Sequence, residues 1–107
     1  METIDIARDF SATPGGRFNR DGPFSGEAFR DRILEPAVQR GVAIQVVLDH
    51  VAGLPSSFLE EAFGGLIRAH RDEARAILKR MSFVTTEPDL LPYVSLIERY
   101  MREAVEH

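Results

Sequence analysis

The stretch VAIQVVLD, residues 42–49, is nearly all apolar and rich in β-branched side chains. A run of that length and composition is the pattern of a β-strand in the middle of a sheet, covered on both faces. Such a strand needs helices around it, and the flanking sequence supplies them. Downstream, the apolar residues Leu59, Ala62, Phe63, Leu66 and Ile67 fall on one side of a helix. Upstream, Phe29, Ile33 and Ala37 recur every four residues and predict a helix that starts after Ser25. Ser25 is its expected N-terminal cap, with Glu27 in the dipole-favourable first turn. Pro36 should break or kink that helix near Glu35, and Gly41 should close it.

Further out the pattern continues. TIDIA, residues 3–7, alternates Ile4 and Ile6 against Asp5, as a half-buried strand would. Pro14-Gly15 suits a type II turn, and a short strand near Arg17-Phe18 would precede the Asp21-Gly22-Pro23 stop. Residues 72–80 read as helix and MSFVTT, 81–86, as strand, halted by Glu87-Pro88. Tyr93, Leu96, Ile97, Tyr100, Met101 and Ala104 line one face of a C-terminal helix. Strands separated by helices predict an α/β sandwich with crossover connections, and 107 residues suit a single domain over 1–107.

Composition narrows the function classes. The chain has no cysteine, so disulfides and thiolate metal sites are excluded. Thirteen basic residues face seventeen acidic ones, and the net charge of -4 offers no chain-wide attraction for phosphate backbones. The arginine clusters at 17/20, 30/32 and 68/71/75, the last followed by Lys79 and Arg80, each have acids nearby and read as solvated helix faces rather than a nucleic-acid surface. No apolar run reaches the ~20 residues of a membrane span, and METIDIARDF has no basic leader followed by an apolar stretch. The expectation is a soluble cytoplasmic protein without a membrane partner.

The segment PSSFLEEAFGGL, residues 55–66, raises the functional question. Ser57 followed by Glu60 matches a capping box worth about 1 kcal/mol. The same serines, Ser56 and Ser57, would stand at a helix N-terminus after the loop from the central strand, where a phosphate is tolerated. Two glycines inside a helix, Gly64 and Gly65, cost roughly 1 kcal/mol each relative to alanine, so either the helix breaks there or something packs closely against its backbone. Asp49-His50 ends the central strand, where α/β folds place ligands, but no nucleophile, base and orienter assemble around it. Ser57 lacks the Gly-x-Ser-x-Gly elbow, TPGGR at 13–17 is not a P-loop, and His70 and His107 have no metal-ligand spacing. An enzyme, a cofactor and a metal site are therefore not expected.

Three segments, DFSATPGGR at 9–17, GPFSGEAFRDRILEP at 22–36 and SSFLEEAFGGLIR at 56–68, resemble the STAS-like family of unknown function, a relative of the STAS (sulfate transporter and anti-sigma factor antagonist) domains. The resemblance implies a small mixed sheet of about four strands with helices packed on it, and a signalling or protein-interaction role. STAS anti-sigma factor antagonists are switched by a GHKL-type ATPase/serine kinase at a serine that opens the helix after a central strand. On this resemblance Ser56, with Ser57 beside it, is the control point, and the partner surface comprises Asp49, His50, Phe58, Gly64 and Gly65. The alternative is a small-molecule or nucleotide-binding domain, catalytic or not, built on Arg17, Asp49 and His50. A third reading gives the C-terminal helix a role in homodimerisation.

Overall fold

The computed structural model describes all 107 residues. Three short strands, β1 (Glu2–Asp5), β2 (Ile44–Val47) and β3 (Met81–Val84), form one sheet in the order β1-β2-β3, all parallel. The sheet is therefore parallel and three-stranded where a mixed sheet of about four was expected. The residues expected to add a strand, Arg17 and Phe18, are extended at best; they lead into a 3₁₀ turn at Asn19–Asp21. β1 also stops earlier than the Ile4/Ile6 alternation suggests. Asp5 ends the strand, its carboxylate accepting a hydrogen bond from the Arg8 amide, and a one-turn helix, α1 (Ile6–Asp9), follows. Ile6 is still buried, now from a helical turn.

Two long helical runs make the crossovers. Helix α2 covers residues 26–39 and α3 covers 56–69, and each contains a π-helical segment, Arg30–Leu34 and Glu60–Gly64. In α2 the π turn explains how Pro36 is tolerated. Proline has no N–H to donate and clashes with the carbonyl four back in a regular helix. Here the Glu35 amide reaches five residues back to Arg30, the turn widens, and the helix continues through Pro36 to Gln39. The inserted residue also shifts the apolar stripe. Phe29, Leu34, Ala37 and Val38 are buried, whereas Ile33, expected on the stripe, is only half-buried. Gly41 closes α2 in the left-handed region at φ 74°, as expected. Ser25 caps it, accepting from the Ala28 amide at 3.1 Å.

Helix α4 (Ala74–Arg80) leads into β3, and α5 (Leu91–Glu106) completes the chain. The expected stripes of α3 and α5 are buried: Leu59, Ala62, Phe63, Leu66 and Ile67 on one, Ile97, Met101 and Ala104 on the other.

The central strand differs from expectation. Crossovers in the order 1-2-3 move twice in the same direction across the sheet, and right-handed connections then lie on the same face. Burial follows that rule. Ile4, Ile44, Val46, Leu48 and Met81 are buried against the helices. Their alternates Thr3, Ser82 and Val84 are exposed, and Gln45 and Val47 are half-buried. VAIQVVLD is thus covered on one face, in a two-layer molecule. A line of aromatic contacts crosses the core from Phe24 through Phe10, Phe29 and Phe63 to Phe83, with centroids 5.1–5.9 Å apart at successive steps.

Candidate functional site

Parallel strands bring their carboxyl ends to one edge, and the loops there are tied together. After β1, the loop 11–17 is braced by Ser11, whose hydroxyl accepts from the Thr13 amide at 3.0 Å. The Ala12 carbonyl accepts from the Ala52 amide at 2.7 Å, joining this loop to the one after β2. The expected type II turn at Pro14-Gly15 is absent. Gly16, not Gly15, takes the positive φ of 90°, and its carbonyl accepts from the Gly26 amide at the start of α2.

After β2, Asp49 accepts from the hydroxyl of Thr85, from the Thr86 amide at 2.9 Å and from the Thr86 hydroxyl at 2.7 Å. The Thr85 and Thr86 hydroxyls, with the Thr86 amide, hold its carboxyl below the usual aspartate range. His50 adopts a left-handed φ of 71°, and its amide donates to Glu87 at 2.6 Å. The Asp49-His50 pair therefore clamps the end of β2 to the residues following β3. That also explains why MSFVTT ends as a strand at Val84: Thr85 and Thr86 turn to serve Asp49.

The loop ends at Pro55, which occupies the N-cap of α3. Ser56 is the first helical residue and is exposed; Ser57 is half-buried. No side chain caps this helix. The expected Ser57–Glu60 capping box is not formed: Pro55 holds the N-cap, so Ser57 lies inside the first turn, and Glu60 turns to Arg17 and Arg68 instead. An open cleft of about 430 Å³, bordered by Thr13, Pro14, Pro55 and Tyr93, lies immediately beside Ser56 in the chain.

Glu60 and Glu61 anchor a charge cluster on α3. Arg17 donates to Glu60 at 2.6 Å and to Glu61 at 3.3 Å; Arg68 donates to Glu60 at 2.6 Å. Arg30 of α2 donates to both the carboxylate and the backbone carbonyl of Glu61. The Arg68 hydrogen bond, aided by Arg17, lowers the Glu60 carboxyl below its usual range, and Glu60 raises Arg17 in return. Three of the arginines that form basic clusters in the sequence thus face carboxylates of their own chain.

This cluster accounts for Gly64 and Gly65. The helix widens there but does not break, and both glycines are buried. A Cβ at Gly64 would lie 2.6 Å from Glu60 Oε2, and one at Gly65 would lie 2.5 Å from Arg30 Nη1. The close neighbours are charged side chains of the same molecule, so the two glycines are not part of an exposed surface. Phe58, expected on the partner surface, is instead fully buried, its ring tilted against that of Phe29 with centroids 5.7 Å apart, and it presents no surface to a partner. Arg17, Asp49 and His50 do not converge. Arg17 serves α3 while Asp49 and His50 serve residues 85–87, and none of the principal clefts is lined by any of the three. Gly26, by contrast, carries no signal in a single sequence beyond its place after a cap. A Cβ there would meet the Phe58 carbonyl at 2.5 Å, so it sets the approach of α2 to α3.

A parallel sheet with helices on one face and knitted loops at its carboxyl edge defines an α/β domain, with the exposed Ser56 at the start of the helix that follows the central strand's loop. The family model for the STAS-like domain of unknown function (DUF4325) matches residues 25–91, and the chain belongs to that family. No curated protein and no solved structure matches the chain. No helix is long and apolar enough to cross a membrane.

Proposed function

We propose that this chain is a non-enzymatic regulatory module that docks a protein partner through the loop after β2 and the start of α3, with Ser56 as its control point. One observation carries the reading: Ser56 is exposed, uncapped and first in a 14-residue helical run that leaves the central strand's loop. Free amides and the positive end of the dipole make that position tolerant of a phosphate. Ser57 is the secondary candidate, because it is half-buried. The partner class in this reading is a GHKL-type ATPase/serine kinase and the compartment the cytoplasm, where such a kinase would find ATP; the resemblance to STAS anti-sigma factor antagonists supports both.

The alternative, a ligand site on Arg17, Asp49 and His50, has less support: Arg17 and Asp49 are engaged in separate contacts, and the exposed His50 side chain lines no cleft with either. The test is to copurify the tagged chain with its partner and measure intact mass after incubation with ATP. Ser56→Asp should weaken the complex at least ~10-fold, about 1.4 kcal/mol. Unchanged affinity for both Ser56→Asp and Ser57→Asp, with no phosphate gained, would remove the switch.

A further inference from the structure

The two edges of the sheet, β1 and β3, are built differently. An open edge is a template for a further strand, and proteins block it with charge, proline or a bulge. β1 is blocked. The Asp5 amide donates to the Asp9 carboxylate at 2.8 Å, and Glu2 pairs with Arg40 beside it. β3 is not: MSFVTT, residues 81–86, holds no charge and no proline. The Leu48 amide donates to the Val84 carbonyl at 3.0 Å, so Val84 and its alternate Ser82 turn their backbone groups to β2. Met81, Phe83 and Thr85 turn theirs outward. The Met81 amide is already taken by the Leu78 carbonyl. The Met81 carbonyl, the Phe83 amide and carbonyl, and the Thr85 amide have no partner.

We infer that β3 pairs with β3 of a second copy, antiparallel about a two-fold axis at Phe83, joining two three-stranded sheets into one. The free groups select that occupant because they are self-complementary, as a two-fold contact requires. Phe83 exchanges both of its bonds with Phe83 of the second copy, and each Met81 carbonyl accepts from the other copy's Thr85 amide. Only the Thr85 carbonyl, opposite the occupied Met81 amide, stays with water.

Side chains and charges agree with that pairing. Phe83 is half-buried and ends the aromatic line, 5.4 Å from Phe63. The axis sets it beside its counterpart, with Cα atoms about 5.5 Å apart, and carries the line across the junction. The reversed direction brings the basic lead-in of each strand, Lys79 and Arg80, beside the acidic exit of the other, Glu87 and Asp89. A strand of another protein would satisfy the backbone groups; a reversed copy of this one also matches the charges. The contact is narrow, so the dimer is weak and concentration-dependent. The two carboxyl edges point opposite ways, which leaves both Ser56 positions open.

The chain has no cysteine, so introduced ones read the register directly. Ser82 lies opposite Val84 of the second copy, a non-hydrogen-bonded pair with Cα atoms about 4.5 Å apart, within disulfide range. Ser82 to Ser82, and Val84 to Val84, span about 8 Å, which is out of range. Full chains carrying Ser82→Cys and Val84→Cys, mixed and mildly oxidised, should form a covalent heterodimer. Each variant alone, and either one mixed with Thr3→Cys on the blocked β1 edge, should form at least ~10-fold less disulfide. Sedimentation equilibrium of the wild type should show a monomer–dimer equilibrium that Val84→Lys weakens at least ~10-fold with an unchanged Tm. Ser56→Asp should leave that equilibrium unaltered, which separates this inference from the proposed switch. A wild type that stays monomeric up to about 1 mM, disulfides that form as readily in the single variants as in the mixture, or an association indifferent to Val84→Lys would each overturn it.

Discussion

Replacing Gly26 by alanine tests the packing of α2 on α3, which sets the frame for the candidate site. The added Cβ would stand 2.5 Å from the Phe58 carbonyl oxygen, 2.9 Å from Glu61 Cβ and 3.1 Å from the Ala62 amide. The nearest and third-nearest of these are backbone atoms of a helix, so relief requires moving α3 itself. Overpacking of that kind costs about 1–3 kcal/mol. Gly26 is the first residue of its helix, so the usual gain of up to ~1 kcal/mol for alanine over an interior glycine is only partly available. The expected net loss is about 2 kcal/mol, or roughly 8–16 °C in Tm for a domain of this size. Gly64→Ala is the internal comparison. Its Cβ would press on Glu60 Oε2 and Arg68 Nη1, the far ends of flexible side chains, while a helix-interior position gains propensity. It should stay within about 1 kcal/mol of the wild type. Thermal and urea unfolding of the two variants decide the matter. A Gly26→Ala protein with unchanged stability, or a Gly64→Ala protein that loses as much, would refute the close approach inferred for these helices.

Three further outcomes are expected. Arg30→Met should cost about 1–2 kcal/mol, since it removes the closest partner of the well-buried Glu61 carboxylate and leaves it only Arg17 at 3.3 Å; Arg17→Met, at a more exposed pair, should cost under about 1 kcal/mol. Lowering the pH should destabilise the fold through Glu60. Its folded-state carboxyl lies below the usual glutamate range, held there by Arg68 and Arg17, so its contribution is complete above that range and is lost as pH falls through the folded value. Urea midpoints measured from pH 6 to pH 3 should fall less steeply for Glu60→Gln than for the wild type. Asp49→Ala should free the residues that follow β3, seen as faster hydrogen exchange at the Thr86 amide with the α3 amides unchanged.

Much of this molecule was legible residue by residue. The α3 and α5 stripes, the Ser25 cap and the left-handed Gly41 all follow from neighbours within four or five positions, and they stand where the periodicity puts them. Local signals failed where a distant residue competed for the same group. The Ser57–Glu60 box does not form because Pro55 takes the N-cap too early for it, and Glu60 bonds Arg17, 43 residues away. The Pro14-Gly15 turn is absent, and the Gly16 carbonyl bonds the Gly26 amide. The stripe from Phe29 slipped to Leu34 because Pro36 is accommodated by a π turn, and a pattern of strict period four cannot register one inserted residue.

The candidate site divides the same way. Ser56 at a helix start is a local fact, but that Arg17 and Asp49 are engaged in separate contacts, and that the His50 amide bonds Glu87, could be known only once the chain had closed on itself. The sequence by itself determined the alternation of strands and helices, because each element's apolar period is written in adjacent residues. Tertiary structure alone decided how many strands pair, that every helix lies on one side of them, and which charges neutralise one another. Those depend on the direction of the crossovers and on contacts between residues far apart in the chain, and no local period encodes either.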